Sequence, residues 1–596
     1  MGGLYFASIR IMATLRLRFD QKFAKNLSRT TLLFAVAGLF YYSTYTLMNL
    51  TPKNTQNLTR YWAQTRLDEE LLSPIFATPT CQQNQTHLRA CLAAIDNLLS
   101  HHAPPLTLMP PNVKPGETAA FQFGPLLVHR RPITPESDNS DKSFLQSGPA
   151  KTEVESPKIP TTTEEDKIAS MNGLAETLIR DPQLPEALGH LGVWLKDTIF
   201  QSNARQKARW IAESYNVYLS QRFDPFTYIL PTRLVEALND GKLNTHQGFG
   251  LEFLVQEQAL WVREIYPNGP AQRAGMQVGD QILQIGPFTN LSESYEIRRA
   301  HEYVERATRS FKVTEFRFAN STGEFHKSIE PARFAIPNVY GREVQEGVAY
   351  IRVRSFYPKD TCRDFNRVVK NLPRRANPQQ KGSARLTGII LDLRGNVGGF
   401  IEQGNCLLEY FLPKPTLLSQ VHFLNEQQSY SMQKFFSKSL TASRLPLAVI
   451  VDSQTASTAE LTAGTLQFYG RAKIVGEKSY GKGSIQSSLP WDYRPQSVTL
   501  FKTVGSFFLP NGKSPHVHGI TPDLVVENIA EGPRLASLYP HLKPFPDLPG
   551  IESARRRKNL NPQLPEPCDT LDPLIRHKAG TDPALNMALI AASCRN

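Results

Sequence analysis

A chain of 596 residues is too long to close around one hydrophobic core, so several domains are expected. Hydrophobic residues at 40% and charged residues at 20% are the balance of a mostly globular protein. The 67 Lys+Arg against 54 Asp+Glu leave +13, but the excess sits in local clusters without interleaved aromatics, which argues against a nucleic-acid partner.

Residues 1–29 form a basic segment in which Arg10, Arg16, Arg18, Lys22, Lys25 and Arg29 are opposed only by Asp20. Residues 30–52 carry no charge and contain LLFAVAGLFYYSTYTLM, enough for a helix roughly 35 Å long. No A-x-A-like cleavage site and no nearby lipid-accepting Cys follow, so this run reads as an uncleaved signal anchor rather than a removable signal. The basic flank predicts a cytoplasmic N-terminus, with everything after residue 52 on the other side.

Residues 53–130 read as an N-terminal helical region, with Leu67, Leu71 and Leu72, then Leu88, Cys91, Leu92, Ile95 and Leu98 at helical spacing, becoming irregular from Pro104. Residues 131–166 are rich in Pro, Ser, Thr and acids and poor in large apolar residues, the composition of a disordered linker. Helical periodicity resumes over 167–240 and breaks at QRFDPFTYILPTRL. Residues 241–335 then alternate strand-like runs with Gly/Pro punctuation. The Gly248-Phe249-Gly250-Leu251 turn and the stretch AGMQVGDQIL resemble a PDZ domain of the kind found in bacterial proteases. That resemblance implies a peptide added as an extra strand, its C-terminal carboxylate held by amides of Gly248, Phe249, Gly250 and Leu251.

Over 336–530 strands and helices alternate: GVAYIRVRSF, the amphipathic DTCRDFNRVVKNL, TGIILDLRGNVGGF, a helix near Glu402–Phe411, LPLAVIV and STAELTAGTLQFYG. Such alternation predicts βαβ crossovers and a largely parallel, covered sheet, with ligand chemistry at the carboxyl ends of its strands. Residues 531–596 read as a Pro-rich tail ending in a short helix, with a basic knot at Arg555–Lys558. The fold class expected is therefore α/β and multi-domain. The six cysteines lack metal-ligand spacing, so disulfides in an oxidising compartment are expected; sequence leaves their pairing open among Cys81, Cys91, Cys362, Cys406, Cys568 and Cys594.

Five stretches in order resemble the carboxy-terminal processing, or tail-specific, proteases, over roughly residues 165–527. Thr455-Ala456-Ser457-Thr458-Ala459-Glu460 matches the family's S-A-S-A-S-E, and Tyr480-Gly481-Lys482-Gly483-Ser484-Ile485-Gln486 its F-G-K-G-T-x-Q. LDLRGNVGG (391–399), HGITPDLVVE (518–527) and FDPFTYILP (223–231) match its glycine turn, closing segment and entry to the PDZ domain. Thr455 and Ala459 stand where the family has serines, and Phe226 where it has histidine. The resemblance implies a crotonase-like protease core with Ser457 as nucleophile, Lys482 as base and Gln486 orienting the amine. It also implies backbone amides of Gly398 and Thr458 as an oxyanion hole, with no cofactor and no metal.

The residue types suit these parts. A serine hydroxyl needs a base within hydrogen-bond reach. A lysine can serve once burial disfavours its charge, and a neutral amide orients it without restoring that charge. Thr458 opens a helix, where free N–H groups favour an anion. Ser457 and Glu460 also form a capping-box pattern, whose ordinary meaning is a helix start alone. Among competitors, Ser453 precedes the motif and Lys478 lies outside it. His516 and His518 alternate on a predicted strand without a partner acid or third ligand. Asp392 and Arg394 read as stabilising the turn, and Cys406 as a disulfide or buried thiol.

The expected activity is that of a serine endopeptidase acting through an acyl-enzyme on proteins with apolar or unstructured C-terminal tails. Its expected place is the inner membrane, single-pass, with the catalytic part on the extracytoplasmic side; an adaptor or self-association is compatible with it. The alternatives are a catalytically silent PDZ scaffold that binds C-termini and a crotonase-like acyl-transfer enzyme; the Ser–Lys–Gln spacing favours proteolysis over both.

Overall fold

The structure, a computed structural model, describes most of residues 164–526 together with parts of 72–130, 534–548 and 582–593. The basic segment, the expected signal anchor, residues 131–163 of the linker, and Cys568 and Cys594 lie outside the described residues. Among the described residues no helix is long and apolar enough to cross a membrane. The chain divides into two units, residues 1–235 with 486–503, and residues 236–485 with 504–596.

In the first unit the Gln85–Ser100 helix starts at Asn84, whose side chain accepts the His87 N–H at 3.0 Å, a standard N-cap. Leu88, Leu92, Ile95 and Leu99 recur every three or four positions and are fully buried, as are Ile211 and Ala212 of the Ala204–Arg222 helix that packs on it. The Cys81–Cys91 disulfide joins the segment before this helix to its second turn. The helical reading of residues 53–130 needs correction. Leu106–Met109, Ala119–Phe123 and Leu126–Arg130 form a three-stranded antiparallel sheet. Its signal is the period-two burial of Leu106, Leu108, Leu126 and Val128, which short, interrupted strands hide from a helix-length window. Further along, Tyr228–Pro231 pairs antiparallel with Val498–Phe501, and Tyr228 stacks on Phe501 with centroids 5.1 Å apart.

The second unit holds two sheets that matter for function. One is five-stranded and antiparallel, in the order Gly323–Ile329, Thr314–Asn320, Gln281–Ile285, Ala259–Ile265, Leu251–Gln256. Alternate residues Val262, Ile282, Phe316 and Phe318 point into its core, closed by Ala300 and Ala307 of the Ser294–Ser310 helix. Leu251–Gln256 is an edge strand, directly after the Gly248–Leu251 turn.

The other sheet has six strands. Val339–Gln345 lies antiparallel to Val348–Val353, and from there Gly388–Asp392, Leu447–Val451, Lys473–Gly476 and Leu524–Val525 follow in parallel. Its strands are buried on both faces. Ala349, Ile351, Ile389, Leu391 and Val449 meet Phe365, Leu408, Phe411, Leu461 and Leu466 on the helix-covered side. Val348, Tyr350, Ile390, Ala448, Ile450 and Val475 meet Ala584, Ala588 and Ala592 on the other. Residues 531–596 are therefore not a tail apart from the core: their Pro583–Ser593 helix covers one face of the sheet. It comes so close that a Cβ on Gly388 would lie 2.2 Å from the Ala592 carbonyl oxygen. The Cys362–Cys406 disulfide ties the Thr361–Arg375 helix to the Ile401–Phe411 helix.

Candidate active site

Three turns leave the carboxyl ends of neighbouring parallel strands: residues 393–400 after Gly388–Asp392, 452–457 after Leu447–Val451, and 477–483 after Lys473–Gly476. Backbone hydrogen bonds stitch them together. Ala456 N–H donates to the Asn396 carbonyl at 2.9 Å, and Tyr480 N–H to the Thr455 carbonyl at 3.0 Å. Thr455, in place of serine, keeps a working hydroxyl that donates to the Leu393 carbonyl at 3.0 Å.

Ser457 stands between its strand and the Thr458–Phe468 helix with φ +57° and ψ −121°. A β-carbon is strained there, so the surroundings must impose the conformation. Such a sharp strand-to-helix turn is how a nucleophilic serine is presented. Much of the constraint comes from Glu460. Its fully buried carboxylate accepts the Ser457 N–H at 2.8 Å and the Lys482 N–H at 2.7 Å on Oε2. On Oε1 it accepts the Gly481 N–H at 2.7 Å and the Ser479 hydroxyl at 2.6 Å. The backbone nitrogens of Ser457 and Lys482 can thus be no further apart than two hydrogen-bond lengths through one oxygen. Burial without a paired cation pushes the Glu460 carboxyl up to about 7, while the four donors act in the opposite direction. Sequence reasoning read Glu460 only as half of a helix cap and missed this bridge. Its signal, an acid three residues after the serine, has that commoner explanation.

Lys482 is 7% exposed, and its Nζ donates to the Ser484 carbonyl at 3.0 Å. Gly483 N–H donates to His516 Nδ1 at 3.3 Å, and the His516 ring stacks on Phe545 with centroids 4.1 Å apart. Burial, then the nearby positive charge of Lys482 and of His518, lowers His516 to about 4, so it is a neutral acceptor. The two histidines lie in a turn, not on the strand expected for them. The tight approaches on the lysine loop require glycine: Gly481 has φ +100°, and a Cβ on Gly483 would lie 2.2 Å from Ser514 Oγ. Gln486 lies on the Ser484–Pro490 strand, in the part of the chain belonging to the first unit, where Nε2 donates to Thr503 Oγ1 at 3.0 Å.

The glycine turn faces Ser457. A Cβ on Gly398 would stand 2.7 Å from Ser457 Cβ and 2.9 Å from the Thr458 nitrogen, so the two expected oxyanion donors are neighbours. Thr458 N–H is the first of its helix and has no intrahelical acceptor. Gly398 N–H, however, donates to Asn396 Oδ1 at 2.9 Å, and an oxyanion would compete with that side chain. Asn396 is fully buried and also donates from Nδ2 to the Val353 carbonyl at 2.9 Å; nothing in the spacing had marked it.

Asp392 and Arg394 take the structural part expected of them. The Arg394 guanidinium grips Asp392, with Nη2 to Oδ2 at 2.6 Å, and reaches Asp582, which caps the Pro583–Ser593 helix by accepting the Ala584 N–H at 3.0 Å. Burial alone would raise the Asp392 carboxyl, but Arg394 and Arg352 hold it well below the usual range. Cys406 is disulfide-bonded. No His, Cys, Asp and Glu grouping suited to a metal occurs among the described residues.

In the small sheet's turn, Phe249 is buried against Phe316, and Gly250 (φ +82°) passes so close to Gly269 that a Cβ would lie 2.7 Å from its Cα. The Phe249 and Gly250 carbonyls accept the Ala271 and Tyr266 N–H groups, at 2.7 and 2.9 Å.

Residues 347–526 match Peptidase family S41, and residues 261–286 match a PDZ domain. The chain is 23% identical over 313 residues to the carboxy-terminal processing protease CtpB of Bacillus subtilis, covering 52% of this chain and 61% of that protein. It is 28% identical over 352 residues to a carboxyl-terminal-processing protease of Picosynechococcus, covering 57% and 79%. The chain thus spans less than two thirds of the Bacillus relative. A solved photosystem II D1 C-terminal processing protease aligns with a TM-score of 0.30 at 20% identity, over 60% of this chain and 87% of that one.

Proposed function

This chain belongs to peptidase family S41 and carries a PDZ domain, and on that footing we propose that it is a serine endopeptidase cutting proteins captured by their C-terminal tails. Ser457 Oγ attacks the scissile carbonyl carbon while its proton passes to Lys482 Nζ. The C–N bond then breaks, and the leaving amine takes that proton. Water hydrolyses the acyl ester with Lys482 again accepting and returning a proton. Thr458 N–H and Gly398 N–H, once Asn396 yields it, stabilise the oxyanion. Gln486 orients the amine. The Leu251–Gln256 edge strand pairs with the substrate's tail, and the Gly248–Leu251 turn holds its carboxylate. The observation that carries the catalytic reading is the single Glu460 oxygen accepting the backbone N–H groups of both Ser457 and Lys482. Residues 30–52 anchor the chain with its catalytic part outside the cytoplasm; the two disulfides suit such an oxidising compartment.

The test uses a substrate protein ending in an unstructured apolar tail and a serine-reactive fluorophosphonate probe. Ser457→Ala abolishes cleavage and labelling, and Lys482→Ala lowers cleavage by about 10³-fold. Unchanged cleavage in either variant overturns the mechanism. Tail binding by a wild-type protein that never cuts would instead support a PDZ scaffold, the reading the edge strand alone favours.

A further inference from the structure

We propose that Asp224 and Thr503 are positioning residues that fix which way the Gln486 amide faces. The proposal rests on the Ser–Lys reading above and concerns a motif, FDPFTY, that the reading leaves without a task.

Asp224 lies just after the Ala204–Arg222 helix. Its Oδ1 accepts the Phe226 N–H at 2.8 Å and the Thr503 hydroxyl at 2.8 Å, while Oδ2 accepts the Thr227 hydroxyl at 2.7 Å. A carboxylate can only accept. The Thr503 hydroxyl has one proton, and Asp224 takes it. Toward Gln486, therefore, the Thr503 oxygen can only accept, and Gln486 must present its NH₂ group. The observed contact, Nε2 to Oγ1 at 3.0 Å, has that polarity. The chain runs one way, from Gln486 through Thr503 to Asp224.

The consequence is an amide that cannot flip. A reversed Gln486 would set its oxygen against a hydroxyl oxygen with no proton to give. Oε1 is instead directed away from Thr503, as an acceptor. An acceptor is what orienting a lysine amine demands, since a flipped amide would meet N–H groups with N–H groups. The geometry is held by backbone as well. Thr503 N–H donates to Thr227 Oγ1 at 3.4 Å, and the strands that follow Thr227 and precede Thr503 pair from Tyr228–Phe501 to Pro231–Val498. A carboxylate 262 positions upstream of Gln486 thereby dictates the polarity of its side chain, with Thr503 as the relay.

The experiment compares Thr503→Val, Thr503→Ser, Asp224→Asn and Gln486→Ala, and Thr503→Val and Asp224→Asn each combined with Gln486→Ala. The readouts are kcat and KM on the tailed substrate, with melting temperature beside them. Thr503→Val and Asp224→Asn are expected to lower kcat about tenfold with KM unchanged, the worth of one hydrogen bond to a charged group. Thr503→Ser keeps wild-type kcat, because its hydroxyl relays equally well. In the Gln486→Ala background neither change lowers kcat further, because the residue they orient is gone. Wild-type kcat in Thr503→Val, or losses that add in full to that of Gln486→Ala, would overturn the relay. Ser457→Ala separates the two levels. If it is inactive, the Ser–Lys reading stands whichever way the relay variants fall; if it cleaves normally, both fall together.

Discussion

Two buried carboxylates at the carboxyl edge of the same sheet have opposite chemistry. Glu460 and Asp392 are both fully buried. Glu460 is met only by neutral donors, the N–H groups of Ser457, Gly481 and Lys482 and the Ser479 hydroxyl. Asp392 is met by two guanidiniums, Arg394 and Arg352, the nearest contact at 2.6 Å. The first is raised to about 7 and the second is held below the ordinary carboxylate range. Burial is common to both, so the partner decides. A carboxylate bolted by arginine stays charged and fastens the C-terminal helix, whereas one held by amides titrates near neutrality beside the reacting groups.

The largest expected effect comes from removing the bolt. Arg394→Met leaves Asp392 and Asp582 buried without their main cation and should cost about 3–5 kcal/mol, read as lost urea resistance or failure to accumulate folded protein. Glu460→Gln comes next, at about 2–3 kcal/mol, because either amide orientation sets an NH₂ against two N–H or O–H donors. It also tests the sign of the pH dependence. The folded Glu460 carboxyl keeps its proton to about 7 and the unfolded one only to its model value of 4.5, so the folded state binds more protons in between. Stability from this group therefore falls as pH rises from 4.5 to about 7 and is flat above. Asp392, lowered from 3.8, contributes stability above that value and loses it as pH falls further. Replacing Glu460 by Gln should erase the first slope and leave the second; a curve of stability against pH unchanged by the substitution would remove the contrast. Ser479→Ala has the smallest effect, about 1 kcal/mol. It removes a donor that lowers Glu460, so the upper end of the 4.5-to-7 slope should move to higher pH.

What the sequence disclosed was what lies close together along it. The Ser457 and Lys482 motifs are short, their glycines are demanded by local turns, and the strands that carry them are continuous apolar runs. Glu460 was half legible: its bond to the Ser457 N–H is a helix-start pattern, but its other donors come from residues 479, 481 and 482. Asn396 was invisible because a side chain taking the Gly398 N–H leaves no trace in spacing. Gln486 was placed on its strand, yet residues 486–503 belong to the first unit, and an unbroken strand pattern carries no mark where it passes from one unit to the other. The strands within 106–130 were lost because their apolar pairs are too short to show a period against the surrounding loops.

The helix over Pro583–Ser593 has a consequence in time rather than in space. Val348, Ile390, Ala448, Ile450 and Val475 form an apolar face that only this late segment covers, with Asp582 fastening it to Arg394. During synthesis every strand of the parallel sheet exists before that cover does. The half-made core therefore presents a greasy surface until almost the last residue shown here has emerged, an interval in which a chaperone has something to hold.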